Sequence, residues 1–422
     1  MRFKVLGIIT LMIHYLVSQK LREEDPLRVY FENIDWSFIS RLTSQFYSKK
    51  GMKAFNPISM YKALLCIYLG EANSERDIAT KLRYDVRLQY YCGFDFFDTP
   101  EHSSFTVFRQ RLGCSVFYEI MHQVIAQAIA VGLVKGLLNT ATDSTHIWAY
   151  SNKFGFKLCD HKDKNQCDCL RHYTDKDAQW GHKSKTYAFF GYKIHLIVDV
   201  ESQIPLEVIV TSGQTADNEP ANDLLDGALK NHPQAKINSN AMDAGYDDGK
   251  IYEHNAQKGI APIIALNPRN VSDTNSIDHP EVTIDKQGNP HCRKTGYRLI
   301  KDGTEPSRNN RQKIVCSPTG CRANCPFRKE CCGESTIGKT FYLYPQRELR
   351  MLGIIPRGSD QWKLLYNGRT STERTHSQLK TTKHKLHLPK VRGIENIKIH
   401  VFLSICGLIV KTIGLSLANK AL

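Results

Sequence analysis

Apolar positions recur at helical spacing through the first third of the chain. Ile58, Tyr61, Leu64, Leu65 and Tyr68 follow that period, and Gly70 ends the run. Ser74, with Asp77 three residues on, offers an N-terminal cap before Ile78 and Leu82. Further helices are expected over 104–112, carrying Arg109 and Arg111, and over 116–131. Helix, short turn and capped helix are compatible with a helix-turn-helix, whose second helix enters a major groove. Any small helical bundle shows the same pattern.

The period then changes. A strand over 137–142 delivers Asp143, and the polar, charged stretch 153–185 reads as a long loop or insertion. Tyr192–Val200 and Leu206–Thr211 alternate as two strands, joined by turn residues at 201–205. A helix over 218–231, a strand over 236–242 delivering Asp243, a helix over 246–258 and a strand over 261–266 complete the series. Periodicity alone gives a mixed α/β chain with an antiparallel hairpin. Residues 267–352 are rich in turn formers, cysteine and short strands.

Two apolar stretches stand out, one near each end of the sequence. Val5–Val17 follows Arg2 and Lys4 as a signal peptide would, but no small-x-small cleavage site comes after it. Interrupted by His14, it is also too short to span a bilayer, so a helix packed against the body is expected. Val401–Val410, flanked by Lys398, His400 and Lys411, reads as a buried terminal helix. No membrane partner is expected.

The 422 residues and a hydrophobic content of 41% allow one large domain with an insertion, or two to three smaller ones. The net charge of +15 is uneven: residues 361–400 hold nine Lys or Arg against only Glu373 and Glu395. A solvated basic face explains such a run. So does a phosphate-contacting surface, because cations that neutralise phosphates supply affinity without sequence choice. A basic surface around an acid favours a polyanionic substrate.

Three acids carry the candidate chemistry. Asp143 ends the run Leu138–Thr142, and Asp243 lies in Ala241–Tyr246. Glu373 lies in Tyr366-x2-Arg369-x3-Glu373-x6-Lys380. Phosphodiester cleavage and joining need an activated water or 3′-hydroxyl and a stabilised leaving oxygen, which two divalent ions held by a few carboxylates supply. Arg369 and Glu373 are four residues apart and share a helix face. They form an ordinary salt bridge, or the arginine grips phosphate while the glutamate holds metal. Asp199, Asp217, Asp247 and Asp248 lie outside this pattern, with Asp247 and Asp248 the nearest impostors for Asp243.

The Tyr-x2-Arg-x3-Glu-x6-Lys stretch resembles the signature around the third acid of IS4-type insertion-sequence transposases of the DDE class. The segments around Asp143 and Asp243 resemble the places where that family carries its two catalytic aspartates. Residues 74–109 resemble the N-terminal helical domain ahead of many transposase cores. The resemblance implies Asp143, Asp243 and Glu373 as catalytic ligands of Mg²⁺ or Mn²⁺, and Tyr366, Arg369 and Lys380 as DNA contacts near the scissile end. It implies an RNase H-like core, a mixed sheet flanked by helices, with a partly β, Cys-rich insertion and an all-α N-terminal module. The boundaries so read are 1–55 helical extension, 56–135 helix-turn-helix-like DNA-binding module, 136–266 first part of the core, 267–352 insertion, and 353–422 C-terminal core helices. Implied partners are terminal inverted repeats, target DNA and further copies of the chain assembled on DNA, in the cytoplasm with the nucleoid. An RNase H-like nuclease that cuts without joining, and a DNA-binding descendant that has lost activity, are the alternatives; all three acids argue against the second.

Thirteen cysteines do not imply a disulfide framework in a chain of this size. Cys316, Cys321, Cys325 and Cys331, followed by Cys332, form a candidate structural Zn²⁺ site in the insertion, with plain buried thiols as the alternative. Cys159, His161, Cys167, Cys169 and His172 form a second group, whose mixed spacing makes it the weaker metal candidate. Soft ligands suit Zn²⁺, so neither group would serve the phosphoryl chemistry.

Overall fold

The computed structural model describes residues 3–4, 6–48, 50–162, 166–270, 272–285, 287–318, 324–334 and 338–421. Seven helices come first: α1 (Ile8–Ser18), α2 (Pro26–Glu32), α3 (Ser37–Thr43), α4 (Pro57–Tyr68), α5 (Glu75–Tyr84), α6 (Val86–Cys92) and α7 (His102–Ala130). Their ends follow local chemistry. Asn56 caps α4 ahead of Pro57, and the Ser74 hydroxyl accepts from the Asp77 amide at the start of α5. Gly113, at φ 71° and ψ 169°, kinks α7 into the two helices expected on either side of it.

The sheet follows. Its strands are β1 (Leu137–Trp148), β2 (Phe156–Lys157), β3 (Arg171–His172), β4 (Gln179–His182), β5 (Ala188–Asp199), β6 (Pro205–Ser212), β7 (Lys236–Met242) and β8 (Ala261–Ile264), with β2 and β3 pairing apart from the rest. The spatial order is β6-β5-β1-β7-β8, with β4 on the early part of β5. The pairs β1–β5 and β5–β6 are antiparallel, and β1–β7 and β7–β8 are parallel. Helices α8 (Ala221–Asn231) and α9 (Gly249–Gln257) make the crossovers to β7 and β8. That connectivity is an RNase H-like core. Gly181, Gly191 and Gly213 meet where β4 and the end of β6 reach β5: a Cβ on Gly191 would fall 2.0 Å from the Ile147 carbonyl oxygen.

β1 is longer than expected, so Asp143 lies mid-strand rather than at a strand end. Its second half, Ser144–Trp148, pairs with His195–Gly191 of β5, well past the point where β7 stops. That half shows no apolar alternation, and only the partner strand reveals it.

After β8 the chain forms two small sheets, β9 (Asn275–Ser276), β10 (Val282–Ile284) and β11 (Pro290–Cys292), then β12 (Leu299–Glu305), β13 (Arg311–Cys316) and β14 (Thr340–Leu343). Helices α10 (Arg328–Cys332) and α11 (Leu349–Leu352) accompany them. This insertion has its own core around Val282, Ile284, Ile314 and Phe341. The chain returns through α12 (Asp360–Asn367), α13 (Thr370–Leu379) and α14 (Ile394–Ala421). α14 is long and apolar enough to cross a membrane, yet every residue from 401 to 410 is buried in the protein. It shares one continuous core with α2–α7 and the sheet, from Leu27 to Ile413. α1 packs against the body as expected, beside α6, but not through its apolar side. Thr10 and His14 hydrogen-bond to Asp95 and to the Phe94 carbonyl, while Ile8, Ile9, Leu11, Met12, Tyr15 and Leu16 face outward. Polar contacts, not its apolar face, set its orientation.

Two arginines fasten the insertion to the core. Arg350 makes a two-pronged pair with Asp247 at 2.8 and 3.0 Å. Arg357, buried, donates to the Tyr252 hydroxyl and to the carbonyls of Met351 and Ile264. Truncating it leaves those acceptors unpaired in the interior, so Arg357→Ala is expected to cost about 3 kcal/mol. Urea unfolding checks this; a loss within ordinary surface-substitution scatter would refute the fastening role.

Candidate active site

The register of the central strands builds the site. β1 and β7 run parallel with Ala141 opposite Ala241. Asp143 lies two residues further on within β1, and Asp243 two residues further on, just past the end of β7, so the register sets the two side by side. Asp243 caps the short turn Ala244–Tyr246, its Oδ1 accepting the Gly245 amide at 2.7 Å. Asp143 Oδ1 accepts the Ser144 amide at 2.8 Å. Burial pushes the Asp143 carboxyl up to about 6, and the charges of Asp243 and Asp217 push the same way. The Ser144 amide and the Arg369 guanidinium pull it back. The buried Tyr246 hydroxyl has no hydrogen-bond partner among the described residues. Burial, then Asp143, Asp217 and Asp243, hold it far above the ordinary tyrosine range.

Helix α13 brings the rest. Its buried side, Ser371, Thr372, Thr375, His376 and Leu379, packs inward, and the Thr375 hydroxyl donates to the Gln203 carbonyl in the β5–β6 turn. Glu373 is exposed and pairs with Arg369 at 2.9 Å. Lys380 Nζ donates to the Thr145 hydroxyl at 2.6 Å, two residues along β1 from Asp143. Burial and nearby Lys183 hold its ammonium below the usual lysine range. Tyr366 stacks on Trp362, ring centroids 4.7 Å apart.

The two aspartates are therefore neighbours, with Arg369 and Lys380 alongside, while Glu373 stays at the rim in its pair with Arg369. Among the described residues, the ligand atoms of the three acids do not converge within 4.8 Å.

Asp217, set aside on sequence, belongs to this neighbourhood. Its Oδ1 accepts from the Ser144 hydroxyl and from Lys193, both at 2.8 Å. Nothing in the local spacing signals it; the β5–β6 hairpin carries it back across the sheet. Asp247 is engaged with Arg350, Asp248 caps α9, and Asp199 holds the Ser202 turn. In the insertion, Cys292, Cys316, Cys325, Cys331 and Cys332 line one small cavity. Cys321 lies outside the described residues.

Carboxylate oxygens suit a hard divalent cation, and one held between Asp143 and Asp243 would offset the repulsion that Asp143 carries. Two family models match the chain: Transposase domain (DUF772) over residues 16–111, and Transposase DDE domain over residues 138–409. The second spans well over half of the chain, which belongs to the DDE transposase family, enzymes that cut DNA and transfer its strands with divalent metal. Among solved structures the chain is similar to a piggyBac transposase synaptic complex with hairpin DNA. That similarity is 11% identity and a TM-score of 0.42 over 94% of this chain and 76% of that one. No curated protein matches.

The Asp143 shift has a measurable consequence. A carboxyl at about 6 when folded, against 3.8 ordinarily, binds protons better in the native state, so stability falls as pH rises through that window. Without added divalent cation, Asp143→Asn is expected to raise the thermal midpoint at pH 7.5 by a few degrees and to leave it unchanged below pH ~3.8, where both states are protonated. Thermal scans at both pH values decide it; a lowered midpoint at pH 7.5 would mean the charge is already compensated.

Proposed function

We propose that Asp143, Asp243 and Glu373 are the catalytic carboxylates of this transposase and that its metal is Mg²⁺, with Mn²⁺ as substitute. The observation that carries this reading is the side-by-side placement of Asp143 and Asp243 beneath the helix that bears Glu373. A pair of divalent ions there would activate the attacking oxygen and stabilise the leaving one. The substrate ends are the terminal inverted repeats of the protein's own element, and the joining partner is target DNA. Two or more copies assemble on the paired ends.

The chain's own residues divide the work around that centre. Asp143 and Asp243, fixed by adjacent strands and by the Ser144 and Gly245 amides, define where the scissile phosphate must lie. Arg369 shields Glu373 in the absence of DNA; a phosphate oxygen offers the guanidinium a competing bidentate partner and frees the glutamate for metal. Lys380, half-buried and short of anionic partners, gains from a phosphate, whose negative charge offsets the burial and the Lys183 charge that disfavour its ammonium. Tyr366 presents a stacked aromatic face beside them.

The first test is cleavage and strand transfer on a short duplex carrying the element's end, with Mg²⁺. Asp143→Asn, Asp243→Asn and Glu373→Gln are each expected to abolish cutting and joining while DNA binding persists. Retained cleavage would remove that residue from the site, and cutting by wild type without joining would make the protein a nuclease. Lys380→Ala is expected to weaken binding to DNA of any sequence and to lower the slope of log affinity against log salt by about one. An unchanged slope in a binding titration would exclude a phosphate contact.

A further inference from the structure

The excursion between β1 and β5 holds an arrangement that the cutting and joining of DNA does not use. Strands β2 and β3 are two residues each, pairing Phe156 with His172 and Lys157 with Arg171. An isolated two-stranded ribbon is marginal in water even at greater length. Burial does not rescue it: Phe154, Phe156, Leu158 and Leu170 are 62, 46, 70 and 78% exposed. Something other than a hydrophobic core must close the loop between these strands.

The loop's polar side chains converge instead. Cys159 and His161 follow β2, Cys167 and Cys169 precede β3, and one ligand atom from each lies within 4.8 Å of all the others. Cys159 Sγ is 3.5 Å from Cys167 Sγ, and Cys169 Sγ is 3.5 Å from His161 Nδ1. A disulfide needs about 2.05 Å, so the sulfurs are not bonded to one another. Tetrahedral zinc, with Zn–S near 2.3 Å and Zn–N near 2.0–2.1 Å, sets neighbouring sulfurs about 3.8 Å apart and sulfur to nitrogen about 3.5 Å apart. The observed spacings match those edges.

We propose that Cys159, His161, Cys167 and Cys169 bind one structural Zn²⁺ that closes the β2–β3 hairpin. Each arm supplies two ligands at i and i+2, the spacing that puts alternate side chains of an extended segment on one side. Three thiolates and one imidazole leave the Zn²⁺ site with a net charge of −1. Lys157 answers it, with Nζ 3.5 Å from Cys167 Sγ and hydrogen-bonded to the Cys167 carbonyl. Thiols must lose their protons to bind, and the unfolded chain holds no preformed site, so the metal and the order of the hairpin are linked. Among the described residues no other set of Cys, His, Asp or Glu converges in this way, the cysteines around Cys316 included.

Metal analysis of the purified full-length chain tests the proposal without reference to DNA cleavage. One equivalent of zinc is expected in wild type and in the double variant Cys325→Ser/Cys331→Ser, and none in Cys167→Ser/Cys169→Ser. Replacement of the metal by Co²⁺ in wild type gives a second readout that does not depend on how the variants fold. The expected spectrum has the strong visible bands of a tetrahedral ion and the near-ultraviolet charge transfer of thiolate ligands. Wild type free of zinc and unable to take up Co²⁺ would overturn the proposal. So would zinc retained by Cys167→Ser/Cys169→Ser, or lost from Cys325→Ser/Cys331→Ser.

Discussion

Backbone pairing of β1 with β7 sets Ala141 against Ala241 and so places Asp143 beside Asp243. Two carboxylates held side by side disfavour each other's ionised form. Burial of Asp143 adds to that and is the larger cause of its raised carboxyl. The surroundings answer with cations that stop short of neutralising the pair. Lys193 is spent on Asp217, Arg369 is shared between Glu373 and the field at Asp143, and Lys380 turns to the Thr145 hydroxyl. A divalent cation and a phosphate bound there would each take up charge that the other leaves unmatched.

Holding the strands in that register is the task of a core that runs the length of the chain. α14 lies within it, so the last helix packs with the early helices as well as with the sheet. A second tie is polar. Glu207 on β6, almost fully buried, accepts from the Tyr118 hydroxyl on α7 and from Asn231 at the end of α8, and lies 3.5 Å from His122. His122 in turn meets His232 at 3.0 Å. Removing one member of such a network strands the others in a low-dielectric interior. The helical region and the sheet are therefore joined by a shared apolar core and by a buried polar network.

Much of the core was legible because its elements carry their own local signal. The β5–β6 hairpin alternates and breaks at turn residues, and α5 announces itself through Ser74. The illegible parts depend on partners distant in sequence. Ser144–Trp148 has no apolar period of its own, and its strand state comes from β5. Asp217 enters the site through contacts with Ser144 and Lys193, far from it along the chain. Val5–Val17 has the composition of a packed helix, yet its docking is decided by two polar side chains, Thr10 and His14. The cysteine groups are a similar case: cysteine count along the chain favours residues 316–332, of which Cys321 lies outside the described residues, whereas Cys159, His161, Cys167 and Cys169, of mixed spacing, gather in space between flanking strands.

The two proposed metal sites are separated by ligand hardness as well as by position. Asp143 and Asp243 present oxygen only, which holds Mg²⁺ loosely and lets it keep the waters that phosphoryl chemistry needs. The 159–169 loop presents sulfur and imidazole, which select Zn²⁺ and leave no coordination position for substrate once four ligands are bound. The first site rests on the register of two paired strands. The second has no rigid scaffold beneath it and nothing to exchange. Its ion would serve as the core that the hairpin lacks, which is why the exposed Phe156, Leu158 and Leu170 do not count against the pairing of β2 with β3.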